Sequence, residues 1–343
     1  MAKHRKTVTM SDIAEKLRVS TVTVSKALSG QKGVSDAVRE EILELARQMG
    51  YEAPASSKRK LEQKSFQIGV LISERYLGDI TSFYWKMYQE ISEYAMQKFC
   101  YTMFEGISES MEEEKRLPRL IEEQKVDAVM VVGRPGYHYD DFLRDHVKLP
   151  MVFLDFYPPD AKVDSFISDG FYGTYRLTDY LLKKGHRDIA YVGTLFATES
   201  ITDRYLGYVK ALLEQGITPD PSYLIDDRDL YSGLRDNYKS FCLPEKLPTA
   251  FVCNCDYIAS VLVKNLREQG IRVPEDVSVV GFDDFISPHF CEIPLTTYGV
   301  DIPSMVKQAF HALLEKMDGV QREAGIHIVE GYLVERDSVR ERV

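Results

Sequence analysis

The sequence has little of what several common chemistries require. Its five cysteines, Cys100, Cys242, Cys253, Cys255 and Cys291, are odd in number and scattered, which speaks against a disulfide framework. Cys253 and Cys255 resemble half of a metal clasp, but no second Cys or His pair stands at zinc-ligand spacing. They read as strand-end residues, and neither a metal nor a cofactor is expected. No apolar run is long enough to span a bilayer, and the opening MAKHRKTVTM lacks the apolar core of a secretion signal. A cytoplasmic protein with no membrane partner is therefore expected. The chain also lacks a GxGxxG after an early strand, a G-x-S-x-G elbow and a P-loop lysine motif. Asp283 and Asp284 form an acidic pair, yet adjacent residues of a strand point to opposite faces and do not readily share one substrate atom. An enzyme is not expected.

What is present begins with charge. Residues 1–64 carry thirteen Lys or Arg against eight Asp or Glu, a net +5, whereas the whole chain of 343 residues is at −10 and the remainder therefore at −15. A basic head on an acidic body is the arrangement expected when only the head touches nucleic acid. Hydrophobic residues make up 44% of the chain, enough for large cores and two or three domains.

The head carries VTMSDIAEKLRVSTVTVSKALSG, residues 8–30. Thr9 can accept a backbone N–H at a helix start, Asp12 stands three residues on, and Ile13, Ala14 and Leu17 share one face. Arg18 and Val19 break that helix. Arg18 falls at the turn position that favours glycine, where another side chain costs about 1–2 kcal/mol in the left-handed conformation. Ser20 can cap a second helix with Val24, Ala27 and Leu28 inward and Thr21, Val22, Ser25 and Lys26 outward. Two helices across one tight turn predict helix-turn-helix, with Ala14 small enough for the crossing and Val24 reaching the shared core. A third helix is predicted from a cap at Ser35, with Val38, Ile42, Leu45 and Met49 on one face and Gly50 closing it.

After Gly50 the tract PASSKRKLEQK, residues 54–64, is small, polar and basic and reads as a linker. The division expected is residues 8–53 as head, 54–64 as linker and 65–343 as core. In the core, QIGVLIS, VDAVMVVG, MVFLDF, DIAYVGT, TAFVCN and VSVVGFDD alternate with helical stretches, three of them ending near Gly185, Phe241 and Gly270. Continuous apolar strands between helices predict buried parallel sheets covered on both faces, and two such sheets fit the length. Ligands of open α/β sheets sit beyond the C-terminal strand ends.

VTMSDIAEKLRVSTVTVSKALSG, the later GYEAP, and the distal VSVVGFDD, PLTT and VERDS resemble, in order and spacing, the LacI/GalR family of bacterial transcription regulators along essentially the whole chain. The resemblance implies an all-α helix-turn-helix head and a periplasmic-binding-protein-like α/β core. That core would hold two doubly wound parallel-sheet subdomains, joined by crossovers, with a ligand cleft between them. It implies a repressor that binds double-stranded operator DNA as a homodimer and responds to a small-molecule effector, a sugar or sugar derivative. No heptad-patterned tail follows VERDSVRERV, which favours a dimer over a tetramer. The rival reading is a stand-alone sugar-binding protein, for which the basic head would have no use.

Residue by residue, Thr21, Val22 and Lys26 match the family positions that face base edges. Lysine reaches guanine O6 and N7, and Val22 suits a thymine methyl. Ser20, Thr23 and Ser25 carry hydroxyls suited to phosphate. Leu61, seven residues after Pro54, falls where the family's minor-groove wedge sits. The linker departs from the family, with an extra residue before Pro54 and Lys58 where a small residue is usual, so a plain tether is the alternative. For the effector, the resemblance points to Arg204 in SITDRYLGY, with Gly207 three residues on and Ser200 a turn before. It adds Asp155 and Asp283 at strand tips and Phe83 and Tyr84 as an aromatic wall, one of which could instead be core. Cys255 and Asp256 stand where relatives carry Asn-Asp, and Ile302 where many carry an aromatic. Both departures leave an ordinary hexose less well held. Trp85 and the SERYLGDIT loop are unlike the usual first-subdomain loop and point to a larger or differently decorated ligand.

Overall fold

The computed structural model describes residues 8–28, 34–49, 51, 65–77, 83–136, 138–160, 162–228, 241–285 and 291–342. The chain divides into two compact units, Met1–Ser65 and Phe66–Val343. Gly50, the linker with Leu61, and the helix expected to end near Phe241 lie outside the described residues.

In the first unit, α1 (Met10–Leu17) starts with a reciprocal cap: the Asp12 N–H donates to Thr9 Oγ1 at 3.4 Å and the Thr9 N–H to Asp12 Oδ2 at 2.7 Å. Arg18 ends it in the left-handed region with φ 52°, as the turn required. Its N–H and that of Val19 close on the carbonyls of Glu15 and Ala14 at 3.3 and 3.0 Å. Ser20 Oγ accepts the Thr23 N–H at 3.0 Å and so caps α2 (Thr21–Leu28). Ser35 precedes α3 (Asp36–Gln48) as expected, but its side chain makes no capping bond. Ile13, Ala14, Val24, Ala27, Ile42 and Ala46 form the shared core.

The second unit holds two six-stranded sheets. The first is built from β1 (Gln67–Ser73), β2 (Tyr101–Ile107), β3 (Ala128–Val132), β4 (Met151–Leu154), β5 (Ser165–Ser168) and the late β11 (Ile326–Val329), in the order β11-β5-β4-β3-β1-β2 and all parallel. The second is built from β6 (Ile189–Val192), β7 (Leu224–Ile225), β8 (Ala250–Cys253), β9 (Ser278–Asp283), β10 (Thr296–Gly299) and β12 (Tyr332–Val334), in the order β12-β10-β9-β8-β6-β7. Here β12 pairs antiparallel with β10 while the other pairings are parallel. Every residue of β3, β4, β6 and β8 is buried, because helices cover both faces of each sheet.

In the first subdomain α4 (Phe83–Gln97) joins β1 to β2, and the short α5 (Glu109–Glu114), α6 (Arg119–Glu122) and α7 (Tyr139–His146) lie on the way to β3 and β4. The chain then changes sheets three times, around residues 169, 300 and 330. Two of these crossings start a helix with an aspartate cap. Asp169 accepts the Tyr172 N–H at 2.9 Å at the start of α8 (Gly170–Lys183), and Asp301 accepts the Ser304 N–H at 3.0 Å at the start of α11 (Ile302–Met317). α8 packs on α9 (Glu199–Glu214) and the second sheet, whereas α11 returns to β4, β5 and α4 of the first. At Gly207 of α9 a Cβ would stand 2.0 Å from the Phe171 carbonyl oxygen, so this crossing of α8 and α9 requires glycine.

Candidate functional site

The two faces of α2 are cleanly separated. Val24 and Ala27 are buried, while Thr21, Val22 and Ser25 are exposed, Val22 by 61%, and Lys26 is half-buried beside them. Ser20 Oγ also lies 2.8 Å from Thr23 Oγ1, so the Ser20 and Thr23 hydroxyls serve the helix cap. The outer face therefore offers methyl groups, hydroxyls and one ammonium, the equipment by which the second helix of such a motif meets a major groove.

In the core, the strand tips of the two sheets meet between the subdomains. Tyr84, in the first turn of α4, donates its hydroxyl to Asp155 Oδ2 at 3.0 Å. Asp155 follows β4 with φ 63° and Asp283 ends β9 with φ 101°, left-handed conformations that cost side chains other than glycine about 1–3 kcal/mol and cluster at functional sites. Burial raises the Asp155 carboxyl above its ordinary value, opposed by Arg204 and by the Tyr84 hydroxyl. Tyr84 is itself pushed well up by burial and by Asp155. Tyr76 stacks obliquely on Tyr84 with ring centroids 4.6 Å apart and donates to the Arg134 carbonyl at 2.8 Å. Phe83 meets Tyr84 edge-on at 5.6 Å and, from the other subdomain, Phe285 at 5.7 Å. Both members of the expected aromatic wall are half-buried at this junction.

From the second subdomain Arg204, on α9, is 8% exposed. Its guanidinium lies 4.0 Å from the centre of the Phe282 ring, Nη1 donates to the Asn254 carbonyl at 2.7 Å, and Nε is buried without a partner. Ser200 Oγ sits 3.0 Å from Thr198 Oγ1, in the capped first turn of the same helix. Asp283 Oδ1 accepts the Phe285 N–H at 3.2 Å, holding the turn that brings Phe285 to Phe83.

Two expected residues lie beneath this surface. Cys255 is the buried N-cap position of α10 (Asp256–Glu268), and Asp256 is fully buried, with Oδ1 accepting the Thr297 hydroxyl at 2.7 Å. A Cβ on Gly281 would stand 1.9 Å from that oxygen, so Asp256 packs α10 onto β9. Burial, then Asp283 and Asp284, push its carboxyl well above the usual range. Ile302 is likewise buried in the core. Trp85 packs on Tyr88 and Phe104, with ring centroids 5.8 and 5.1 Å away.

Sequence reasoning passed over Asp227 and Arg228. Arg228 is 8% exposed and grips the fully buried Asp227 through Nε at 3.1 and 3.0 Å and Nη2 at 2.6 Å. The Thr194 N–H donates to Asp227 Oδ1 at 2.8 Å. The only signal was a charged DDR tract directly after the short strand β7. Contacts that bridge the subdomains were also missed. Arg134, which lies 3.5 Å from Asp140, pairs with Glu199 at the start of α9, and the Tyr157 hydroxyl reaches both oxygens of Asp203. Among the described residues no cluster could hold a metal ion, and no helix is long and apolar enough to cross a membrane.

Two family profiles match the chain: bacterial regulatory proteins of the lacI family over residues 9–53, and a periplasmic binding protein-like domain over residues 178–339. The HTH-type transcriptional repressor PurR of Vibrio cholerae is 27% identical over 335 residues, 97% of this chain and 98% of that protein. The HTH-type transcriptional repressor CytR of Escherichia coli is 28% identical over 341 residues, 98% of each. Among solved structures, the lac repressor dimer bound to operator and the anti-inducer ONPF superposes with a TM-score of 0.65 at 24% identity, over 98% of this chain and 100% of that one. The transcriptional regulator CelR in complex with cellobiose gives 0.67 at 22% identity, over 96% and 99%.

Proposed function

We propose, for a chain that belongs to the lacI family of bacterial regulatory proteins, that it is a cytoplasmic, sequence-specific transcription repressor whose grip on operator DNA is set by a small carbohydrate-like effector. The observation that carries the reading is the joining, in one chain, of a helix-turn-helix unit with Val22 turned outward to a core in which Asp155 and Arg204 approach from different subdomains. We assign residues 8–53 to the head, 54–64 to the linker and 65–343 to the effector-binding and dimerising core. Thr21, Val22 and Lys26 read bases, Ser20, Thr23 and Ser25 orient the helix on the phosphates, and Leu61 wedges the minor groove. One head reads only a few base pairs, so a two-fold dimer spans half-sites about one helical turn (~34–36 Å) apart. Phe83, Tyr84, Asp155, Arg204 and Asp283 hold the effector, with Ser200 ordering the start of the arginine's helix and Cys255 and Asp256 supporting the floor from below.

The cleft alone would equally serve a stand-alone sugar binder, and it is the head that favours the regulator. The test is selection of duplexes from a random pool, followed by titration of the winner at moderate salt. A recovered near-palindromic sequence that binds at least about 10³-fold more tightly than random DNA supports the reading, and binding without sequence preference refutes it.

A further inference from the structure

We infer that the effector carries an anionic group, a carboxylate or phosphate, received jointly by Arg204 and Arg228. This rests on the cleft being the effector site. Both guanidiniums are nine-tenths buried at the strand tips of the second subdomain, on either side of Asn254. Arg204 donates to the Asn254 carbonyl, and the Asn254 side chain bonds to Asp227, the partner of Arg228. The two arginines thus belong to one connected array.

Their charges are balanced very differently. Arg228 spends Nε and Nη2 on Asp227, which leaves Nη1 without a bond among the described residues. Its charge also acts on the Tyr76 hydroxyl of the opposite subdomain. Arg204 makes no ion pair among the described residues. It rests on an aromatic ring and one carbonyl, with Nε buried and unpartnered. A guanidinium so placed is normally matched by an anion, because a buried charge left uncompensated is strongly unfavourable. Asp155 and Asp203 attract Arg204 without forming an ion pair with it, and their carboxyls are engaged by the hydroxyls of Tyr84 and Tyr157. No carboxylate is ion-paired with Arg204 among the described residues, and a ligand oxyanion takes that place through the forked donors that suit carboxylate and phosphate. The hydroxyls of the same ligand fall to Asp155 and Asp283.

The experiment is isothermal titration calorimetry on the full chain at constant ionic strength, with inorganic phosphate and with matched neutral and charged probes: glucose, gluconate and glucose 6-phosphate, then ribose and ribose 5-phosphate. In at least one set the charged member should bind about tenfold or more tightly than its neutral parent, gluconate and the phosphates separating the two oxyanion types. Arg228→Gln should remove about tenfold of that affinity while Arg228→Lys retains part of it. If Arg228→Gln fails to fold, the double variant Asp227→Asn/Arg228→Gln, which removes both charges of the buried pair, serves in its place. A neutral sugar binding as tightly as its charged relatives, no anion binding, or anion affinity unchanged in Arg228→Gln overturns the inference. Binding that survives Arg204→Ala would instead remove the ligand from the cleft and overturn the reading beneath it.

Discussion

The hydroxyl of Tyr157, just beyond β4 of the first subdomain, lies 3.2 and 3.0 Å from the two carboxylate oxygens of Asp203 on α9 of the second. Together with the Arg134–Glu199 pair and the Phe83–Phe285 contact, it joins the rims of the cleft. These three contacts hold the subdomains in their present relative orientation. An effector that touches Asp155 and Arg204 favours that orientation too, so contacts and ligand reinforce each other.

Tyr157→Phe should therefore loosen this arrangement without touching either sheet. Losing one hydroxyl from a partly buried carboxylate costs about 1–2 kcal/mol, a five- to thirtyfold shift in a two-state balance. Small-angle scattering should show a larger radius of gyration, and whichever probe binds the cleft should bind correspondingly more weakly. An unchanged radius and affinity would make the contact incidental.

Asp164, fully buried at the start of β5, anchors the returning chain: His327 Nε2 lies at 2.7 Å, Lys316 Nζ at 2.9 Å and the Gly325 N–H at 3.2 Å. Burial alone would raise its carboxyl, but the bonds from His327 and Lys316 outweigh burial and hold it below its ordinary 3.8. A depressed folded-state value means the stabilisation is present above pH 3.8 and is lost as pH falls through the lower folded value. Asp164→Asn should cost about 1–3 kcal/mol at neutral pH, between exposed and buried pairs because Lys316 and His327 are partly exposed. The gap to the parent should narrow in urea titrations below pH 3.8. A gap constant with pH would contradict the assignment.

Lys26→Ala should weaken selected-operator binding by about 1–3 kcal/mol and random-duplex binding much less, as expected of a base contact. Equal losses on both, with the salt slope lowered by about one, would place Lys26 on phosphate instead.

What was legible in the sequence is what local chemistry decides. The Thr9–Asp12 box, the left-handed Arg18, the Ser20 cap and the buried strands all depend on neighbours within a few residues or on a regular period. Ser35 shows the limit of that logic, standing at the cap position without making the bond. Tyr157 with Asp203 and Arg134 with Glu199 were invisible, because each acquires meaning only when segments tens of residues apart are brought to one junction. Asp256 is the converse case: the resemblance places it with Cys255 at the effector, and only the structure shows the room at Gly281 into which its carboxylate turns, toward Thr297.

The central claim is that cleft and head are coupled, and it is tested most directly by the Kd of the selected operator with and without a saturating cleft ligand, in the parent chain and in Arg204→Ala. The account predicts a ligand-induced change of about 5–150-fold in the parent, corresponding to ~1–3 kcal/mol of coupling, and a ratio close to one in the variant. An operator affinity indifferent to ligand in the parent, or an undiminished response in Arg204→Ala, would contradict it.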